Sequence, residues 1–376
     1  MATTKKAETK TTKASFAYIP QREKTIPILR EVVTKNYVMY GENNLYPQYL
    51  WDLYLKSSIL QSIINGTTDF VCGNEVKVYN GMDTVNADGE TIEDIVKKIS
   101  TDLQVFGGFA LNIIYNRGNE VAEIYWVDIR DVRLNEDGDV AYYCKNWKTK
   151  KDIIEYDVFP NHKGGSCIYY FSGHLTRGTY PIPRWNGAIP AIETSTEIGS
   201  FHLHNILNNF EPSAVINFNN GVPDEETQNN IEAKVNEKFT GSHNAGKVLV
   251  SFNDNKDSAV TIERLGDENN DKKYEQLRKD TYNEIFITFR AQPQLFGFVI
   301  EGSLFNHDEF AEAFALYNKN VVKPIQKDII RSFDKIFKTQ NSVIFEDWSM
   351  DNAVTSTEEQ MPEEGNDKNI DNENNE

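Results

Sequence analysis

The interpretation of this chain depends on the stretch Gly241-Ser242-His243-Asn244-Ala245-Gly246-Lys247-Val248. It matches a nucleotide-binding P-loop at every required position except the last. A P-loop joins a strand to a following helix, so that the helix N-terminus and the loop amides hold phosphate. Here the order is reversed, with a helical pattern over 224–239 before the motif and a β-branched run over 247–252 after it. Val248 also replaces the Ser or Thr whose hydroxyl would hold Mg²⁺. The stretch therefore favours a helix end followed by a strand over a phosphate site.

The composition predicts an acidic protein with a substantial core. The chain has 376 residues, a net charge of −18 and 39% hydrophobic residues. This charge argues against an ordinary DNA-binding protein, which would be basic. Three distant cysteines, Cys72, Cys144 and Cys167, predict a reducing compartment without a disulfide framework. We expect neither a signal peptide nor a membrane span, because the N-terminus lacks an apolar segment and no run of about 18 apolar residues occurs.

Both ends are predicted to be disordered. Residues 1–25 contain six basic and two acidic residues, and residues 349–376 contain nine acidic residues and one lysine. Such segments bury too little apolar surface to offset the conformational entropy of the chain. We predict a disordered N-terminal tail over 1–25 and an acidic disordered tail over 341–376.

The first half of the chain predicts an α+β unit with an antiparallel sheet. Apolar residues at helical spacing mark helices over 48–71 and 91–108. Turn sequences after residues 115 and 134 separate runs that are typical of strands. The predicted strands cover 109–115, 123–127, 140–143 and 166–171.

The second half is predicted to be mainly helical, with a small βαββ module inserted. Helices are expected over 190–209 and 270–289. Between them lie a strand over 214–218, the helix and strand around Gly241, and a second strand over 259–265. The last helix begins at Asn306, which with Glu309 has the pattern of a capping box. It runs to about residue 338, a length of about 50 Å unless Pro324 kinks it.

The sequence contains no arrangement of residues that predicts catalysis or cofactor binding. His202 and His204 lie two apart on a predicted helix, so they do not share a face and lack a third ligand. Glu225-Glu226 begins a helix, where acids are explained by the helix dipole. Ser172-Gly173-His174 has no acidic partner and is explained as a turn. We therefore predict no catalytic residues, no metal site and no cofactor.

Several sequence strings, in their order along the chain, resemble the portal proteins of tailed bacteriophages, of the HK97-like kind. They are the opening Gly41-Glu42-Asn43-Asn44-Leu45-Tyr46-Pro47, the turn from Phe239 to Lys247, the segment Gln292-Pro293-Gln294-Leu295-Phe296-Gly297, and Phe305-Asn306-His307-Asp308-Glu309. The resemblance covers about residues 35–340. It departs from the family at Ala291-Gln292, where a Val-Pro step is usual, which affects the expected conformation of this loop.

The resemblance implies a division of the chain into the parts of a portal fold. These are an α/β wing over 26–190, helical stem segments over 190–210 and 267–289, a small βαββ clip over 211–266, a tunnel loop over 290–305 and a long wing helix over 306–340. It also implies a ring of about twelve subunits at one capsid vertex, through which double-stranded DNA is packaged and ejected. The protein would then reside in the virion, and in the host cytoplasm during assembly.

The resemblance also implies candidate functional residues, assigned by their positions in the matching segments. In the tunnel loop, the candidates facing DNA are Gln292, Gln294, Phe296, Phe298 and Ser303. In the clip, the candidates for docking are Lys238, His243, Asn244 and Lys247. The implied partners are further copies of this chain, the terminase large subunit, the head–tail adaptor, the major capsid protein and double-stranded DNA, with no membrane.

An acidic wall is physically suited to a DNA conduit, because it repels phosphates and does not trap the duplex by counterion release. The predicted function is therefore gating and docking, not catalysis. Two alternatives remain: a nucleotide hydrolase that uses Gly241–Lys247, and another structural protein of the phage head–tail junction.

Overall fold

The computed structural model describes most of the chain outside its ends and the inserted module. The described residues are 28–82, 84–208, 214–218, 223–224, 226–231, 248–252, 270–298 and 307–348. The predicted tail over 1–25, the strand over 259–265 and Gly241–Lys247 lie outside these ranges.

The first half forms three helices and a six-stranded sheet. The helices are α1 (Tyr46–Lys56), α2 (Ser58–Cys72) and α3 (Ile92–Phe106). The strands are β1 (Val32–Val33), β2 (Val38–Met39), β3 (Glu75–Val78), β4 (Gly108–Tyr115), β5 (Val121–Val127), β6 (Val132–Leu134), β7 (Val140–Tyr143), β8 (Ile154–Val158) and β9 (Ser166–Ser172). The large sheet has the order β5-β4-β9-β8-β7-β6.

The predicted helix over 48–71 is wrong in one respect, because it is two helices. Ser57 lies between them in an extended conformation, with φ −100° and ψ 108°. Its side-chain oxygen accepts a hydrogen bond from the backbone N–H of Leu60 at 3.3 Å, and so caps α2. The apolar stripe continues across both helices, which is why the pattern alone did not reveal the break.

The predicted helix over 91–108 is confirmed, with sharper ends. Thr91 and Asp94 form a capping box in which each side chain accepts a hydrogen bond from the other residue's backbone N–H. These bonds also hold the pKa of Asp94 below its usual value. The helix ends at Gly107, whose φ of +84° lies in the left-handed region.

The prediction of an antiparallel sheet is wrong for one pair of strands. The four predicted strands are present, but β8, which the sequence did not reveal, pairs in parallel with β9 at Asp157–Cys167 and Val158–Ile168. The sheet is therefore mixed. Strand β8 is half exposed and contains two acidic residues, Glu155 and Asp157, so its hydrophobic pattern is weak.

A buried arginine ties the segment around Asn44 to this sheet. Arg133 on β6 is fully buried, and its guanidinium donates to the Asn44 side-chain oxygen at 2.6 Å and to the Asn44 carbonyl at 2.8 Å. Tyr40 and Trp147 place their rings 5.7 and 4.8 Å from the guanidinium carbon. Burial lowers the pKa of Arg133. The segment that resembles the portal opening is thus fixed by hydrogen bonds to a buried cation.

The second half contains two paired helices and a small parallel module. The paired helices are α4 (Ile189–Asn208) and α6 (Asn270–Phe289), as predicted, and they pack on each other. Between them, β10 (Ala214–Phe218) pairs in parallel with β11 (Val248–Phe252). Residues 226–231 (α5) are helical. The order strand–helix–strand is therefore confirmed for the described part of the predicted module.

The last helix is interrupted, although it continues in one direction. Helix α7 (His307–Tyr317) passes through a π-helical turn (Asn318–Val322) into α8 (Lys323–Phe337). Pro324 lies in the first turn of α8, where its missing N–H costs little.

The expected tail over 341–376 is wrong for its first residues. Strand β12 (Val343–Glu346) pairs antiparallel with β3, and Val343 is 1% exposed. The short apolar run Val343-Ile344-Phe345 is compatible with a strand, but the acidic composition further along concealed it. Residues 349–376 lie outside the described part of the chain.

Candidate channel and docking surfaces

The loop after α6 is fixed at its start by a sharp reversal. Arg290 has a φ of +54°, and the backbone N–H of Ala291 donates to the Phe286 carbonyl at 3.0 Å. A 3₁₀ turn (Pro293–Phe296) follows and ends at Gly297, which has a φ of +77°. Pro293 stands at the start of this turn, so Ala291-Gln292 is followed by a tight turn.

Phe296 anchors this loop in the core. It is 9% exposed, and its ring lies edge-on to Phe70 and Tyr317 at centroid distances of 6.0 and 5.5 Å. A Cβ built on Gly66 would lie 2.9 Å from the Phe296 ring, so this close approach requires glycine. Ser62 donates a hydrogen bond to the Phe296 carbonyl at 3.2 Å. The Phe296 side chain therefore has little accessible surface in the described fold, whereas the assignment of this loop to the DNA channel stays a prediction.

The other candidates in the loop have different positions. Gln292 is exposed, whereas Gln294 is half-buried. Phe298 is half-buried and packs edge-on against Phe286 at 5.0 Å. Ser303 lies outside the described residues. Over 290–298 the only charged residue is Arg290, so the loop offers polar and apolar groups at its surface.

The helix pair α4–α6 is buried at one end and exposed along the rest. Ile192, Ile285 and Phe286 belong to the main core. Further along, Phe201 and Tyr274 pack together at 5.1 Å, yet Phe201 is 44% exposed. Other large apolar side chains exposed on the pair are Leu203, Leu277 and Ile287. Large exposed apolar side chains on two adjacent helices are typical of elements that bind other proteins.

The clip candidates Lys238, His243, Asn244 and Lys247 lie outside the described residues, so their positions stay predictions. The elements on either side are described. Asp224 accepts a hydrogen bond from the Thr227 backbone N–H at 2.8 Å, which starts α5 and lowers the pKa of Asp224. Strand β11 begins directly after Lys247 and pairs in parallel with β10. A strand therefore follows the glycine-rich stretch, where a P-loop has a helix.

Titratable groups in the described residues do not assemble into a metal site. Among these residues, no group of three or more His, Cys, Asp and Glu side chains has the arrangement of metal ligands. His202 lies beside the Tyr274 ring at 5.8 Å. The three cysteines are buried thiols, and burial raises the pKa of Cys72 to about 12. No described helix has the length and apolar character needed to cross a membrane.

The comparison with known proteins decides the family. A family model for phage portal proteins matches residues 82–358, which is most of the chain. This chain belongs to the phage portal protein family. The resemblance inferred from the sequence strings is thereby confirmed, and the portal fold with it.

Solved structures resemble this chain at low sequence identity, and those with a TM-score above 0.5 share its fold. The neck of a native GTA particle, determined with C12 symmetry, has a TM-score of 0.57 and 14% identity, covering 88% of this chain and 89% of that one. The virion of a native gene transfer agent (GTA) particle has a TM-score of 0.55 and 14% identity, covering 83% and 87%. An HK97-family phage portal protein from Corynebacterium diphtheriae has a TM-score of 0.49 and 11% identity, covering 83% and 97%.

One curated relative also matches in sequence. It is an uncharacterized protein from Rickettsia bellii (strain RML369-C), 24% identical over 245 residues. The match covers 64% of this chain and spans 61% of the length of that relative.

Sequence reasoning found the loop and the helix pair but missed the role of Phe296. Its burial depends on Gly66 in α2 and Tyr317 in α7, far away in sequence. The glycine within the apolar run of α2 was a signal for a close approach, although it did not reveal the partner.

Proposed function

We propose that this chain is a portal, the head–tail connector that forms a ring of about twelve subunits at one capsid vertex. Family membership over residues 82–358 and the shared fold with a neck determined with C12 symmetry support this proposal. The structural observation that carries it is the set of large apolar side chains on α4 and α6 that are exposed among the described residues. In a ring, the adjacent subunit would bury it.

Double-stranded DNA would pass through the channel of this ring during packaging and ejection. In this proposal the loop over 290–305 faces the channel, with Gln292 as an exposed candidate residue and Phe296 as its anchor. A loop that carries few charges does not bind phosphates strongly, so a duplex is able to slide past. The net charge of −18 further weakens attraction between the ring and DNA.

The module over 211–266 would dock the partners of the ring. We assign to it the head–tail adaptor and, during packaging, the terminase large subunit, while the wing would contact the major capsid protein. Lys238, His243, Asn244 and Lys247 are the proposed docking residues. The chain itself would have no catalytic activity, and the energy for DNA movement would come from the terminase. The proposed location is the virion, with assembly in the host cytoplasm.

Native mass spectrometry and negative-stain imaging of the purified full chain test this proposal. We expect closed rings of about a dozen subunits with a central channel, at least at high concentration. A strictly monomeric protein at the highest soluble concentration would contradict the ring. Hydrolysis of ATP that disappears in Lys247→Ala would contradict the non-enzymatic role and support a nucleotide hydrolase.

A further inference from the structure

A cleft with positive charge lies where α6 ends against α8. It has a volume of ≈ 490 Å³ and lies between the turn after β9, the end of α6 and the first turns of α8. We call it the basic cleft, defined by its charged residues and the adjoining histidine: His174, Arg184, Arg290, Lys327, Asp328 and Arg331. Four permanent cations face one carboxylate, in a chain whose net charge is −18. The local charge is therefore opposite to that of the whole protein.

The cations of the basic cleft are poorly neutralised by their neighbours. Within the described residues, Arg184, Arg290 and Lys327 take part in no ion pair, and Arg331 reaches Asp328 only at 3.8 Å. Burial lowers the pKa of Arg184; Asp328 and Tyr317 partly offset this, and the nearby Arg290 adds to the lowering. Burial raises the pKa of Asp328 despite the arginines around it. An anionic group in the cleft would remove this repulsion.

The last described residues of the chain are held on the same helix that lines the cleft. Asp347 forms an ion pair with Lys323, and the Gln326 amide donates to Asp347 at 3.3 Å. Asn320 and Lys327, which line the cleft, are three and four residues from Lys323, so all three lie along one side of the helix. Lys323, the partner of Asp347, is therefore about one helical turn from the cleft residue Lys327 along α8.

Residues 349–376 carry the charge that the cleft lacks. They contain nine acidic residues and one lysine, including the pairs Glu358-Glu359 and Glu363-Glu364. Ten residues separate Glu358 from Trp348, which allows a span of at most about 35 Å. We infer that the acidic segment 351–376 of this chain docks in the basic cleft of the same subunit, with its carboxylates on Lys327, Arg290 and Arg331.

A tethered segment has an advantage over any free polyanion. Its effective concentration near the cleft is on the order of millimolar, because it is attached at residue 348. Double-stranded DNA, in contrast, must approach a protein whose overall charge repels it. The docked segment would therefore occupy the cleft first and keep phosphates out of it. This inference does not depend on ring formation.

Carbodiimide cross-linking of the full chain tests the docking directly, since it joins carboxylates to lysines that are in contact. Peptide mass spectrometry should detect a link between Lys327 and a glutamate or aspartate within 351–376. The yield should fall several-fold at 1 M salt, where the screening length is about 3 Å. In the variant Arg290→Gln/Arg331→Gln, Lys327 stays as the reporter, and the yield should fall about fivefold or more, because two exposed pairs are lost.

A matched control separates the cleft from general charge effects. Lys56→Gln/Lys148→Gln removes two exposed cations outside the cleft and should leave the Lys327 yield unchanged. The quadruple change of Glu358, Glu359, Glu363 and Glu364 to Gln should lower the yield with no change in the folded protein's circular dichroism.

Three outcomes would overturn the inference. The first outcome is that no link between Lys327 and the segment is detected, or that such links are no more frequent than links between Lys56 or Lys148 and the segment. The second is a link found only between isotopically distinct subunits in a mixed sample, which would assign the segment to a neighbouring copy. The third is protection of Lys327 from acetylation by added double-stranded DNA but not by the segment, which would make the cleft a site for nucleic acid.

Discussion

The body of the molecule, formed by α1–α3 and the six-stranded sheet, contrasts with the α4–α6 pair in how each buries its apolar residues. Along α3, one face is fully enclosed, with Ile95, Val96 and Ile99 at 0% exposure. Along the pair, Leu203 is 54% and Ile287 is 75% exposed. Among the described residues, the body thus encloses its apolar side chains, whereas the pair leaves several of its own exposed. Stability and assembly are therefore assigned to different regions, and substitutions should separate them.

The largest loss of stability is expected for Trp185→Ala in the body. Trp185 is fully buried and donates a hydrogen bond to the Gln104 carbonyl at 3.0 Å. Removal of such a side chain leaves a cavity and should lower the free energy of unfolding by about 3–5 kcal/mol. Urea denaturation followed by circular dichroism measures this loss. Trp185→Phe, which keeps the apolar volume in part, should lose less, and an equal loss in both variants would show that the hydrogen bond dominates.

A smaller loss is expected for Gly107→Ala, where α3 turns into β4. A Cβ there would lie 2.4 Å from the Ile182 carbonyl oxygen, and the φ of +84° disfavours any side chain. The strain and the clash together should cost about 2–3 kcal/mol. Gly138→Ala is the matched control, since its φ is +73° but no atom lies within 4 Å of the added Cβ. It should cost only about 1 kcal/mol, and equal effects would contradict the role of the Ile182 contact.

The next substitution, at Asp102, is expected to increase the free energy of unfolding, by an amount that depends on pH. Asp102 on α3 is 4% exposed and accepts a hydrogen bond from the Trp126 indole at 2.8 Å. Burial raises its pKa well above the ordinary value of 3.8. The folded state therefore keeps this proton to a higher pH than the unfolded state does. The free energy of unfolding therefore falls as pH rises above about 4, because the unfolded state loses the Asp102 proton first.

The variant Asp102→Asn removes this penalty and keeps an oxygen acceptor for Trp126. It should stabilise the protein at neutral pH by about 1–3 kcal/mol, the scale of the cost of an incompletely paired buried group. The gain should shrink as pH falls toward 4, because the wild-type carboxyl of the folded state becomes protonated first, and it should reach its minimum below about 4, where the unfolded state is protonated too. Denaturation series from pH 4 to pH 8 measure this dependence. A gain that does not vary with pH would exclude the titration of Asp102 as its cause.

The smallest change in stability is expected in the helix pair. Phe201→Ser/Leu277→Ser alters side chains that are 44% and 42% exposed, so the free energy of unfolding of the single subunit should change by less than about 1 kcal/mol. Assembly should require at least about tenfold more protein, the factor that follows from about 1.4 kcal/mol per interface. Mass photometry across a concentration series measures this shift. Leu55→Ser, at a 53% exposed position of the body, should leave assembly unchanged.

The helices and most strands could be predicted because their signals are local. The capping box at Thr91 and Asp94, the glycine at 107 and the spacing of apolar residues in α3 all lie within one element. The break at Ser57 was missed because the apolar stripe continues through it. Strand β8 was missed because it is half exposed, and its parallel pairing with β9 depends on the path of the chain through the sheet.

The candidate site was harder to predict because its geometry is set by distant partners. Phe296 was expected at the channel surface, yet Gly66 and Tyr317 enclose it. The basic cleft has no local motif, since Arg184, Arg290 and Lys327 come from three separate elements. Periodicity identifies which face of an element is apolar, but it does not reveal which elements meet.

The π-helical turn at Asn318–Val322 changes the direction in which the side chains of α8 point relative to those of α7. A turn with more than 3.6 residues rotates every later side chain around the helix axis. This rotation allows α7 to pack on the 3₁₀ turn after α6, while α8 packs on α2, α3 and β12. One continuous rod therefore serves two differently oriented surfaces without a loop. Deletion of a single residue there would restore ordinary helical pitch, and the apolar face of α8 would no longer be aligned with the surface it covers.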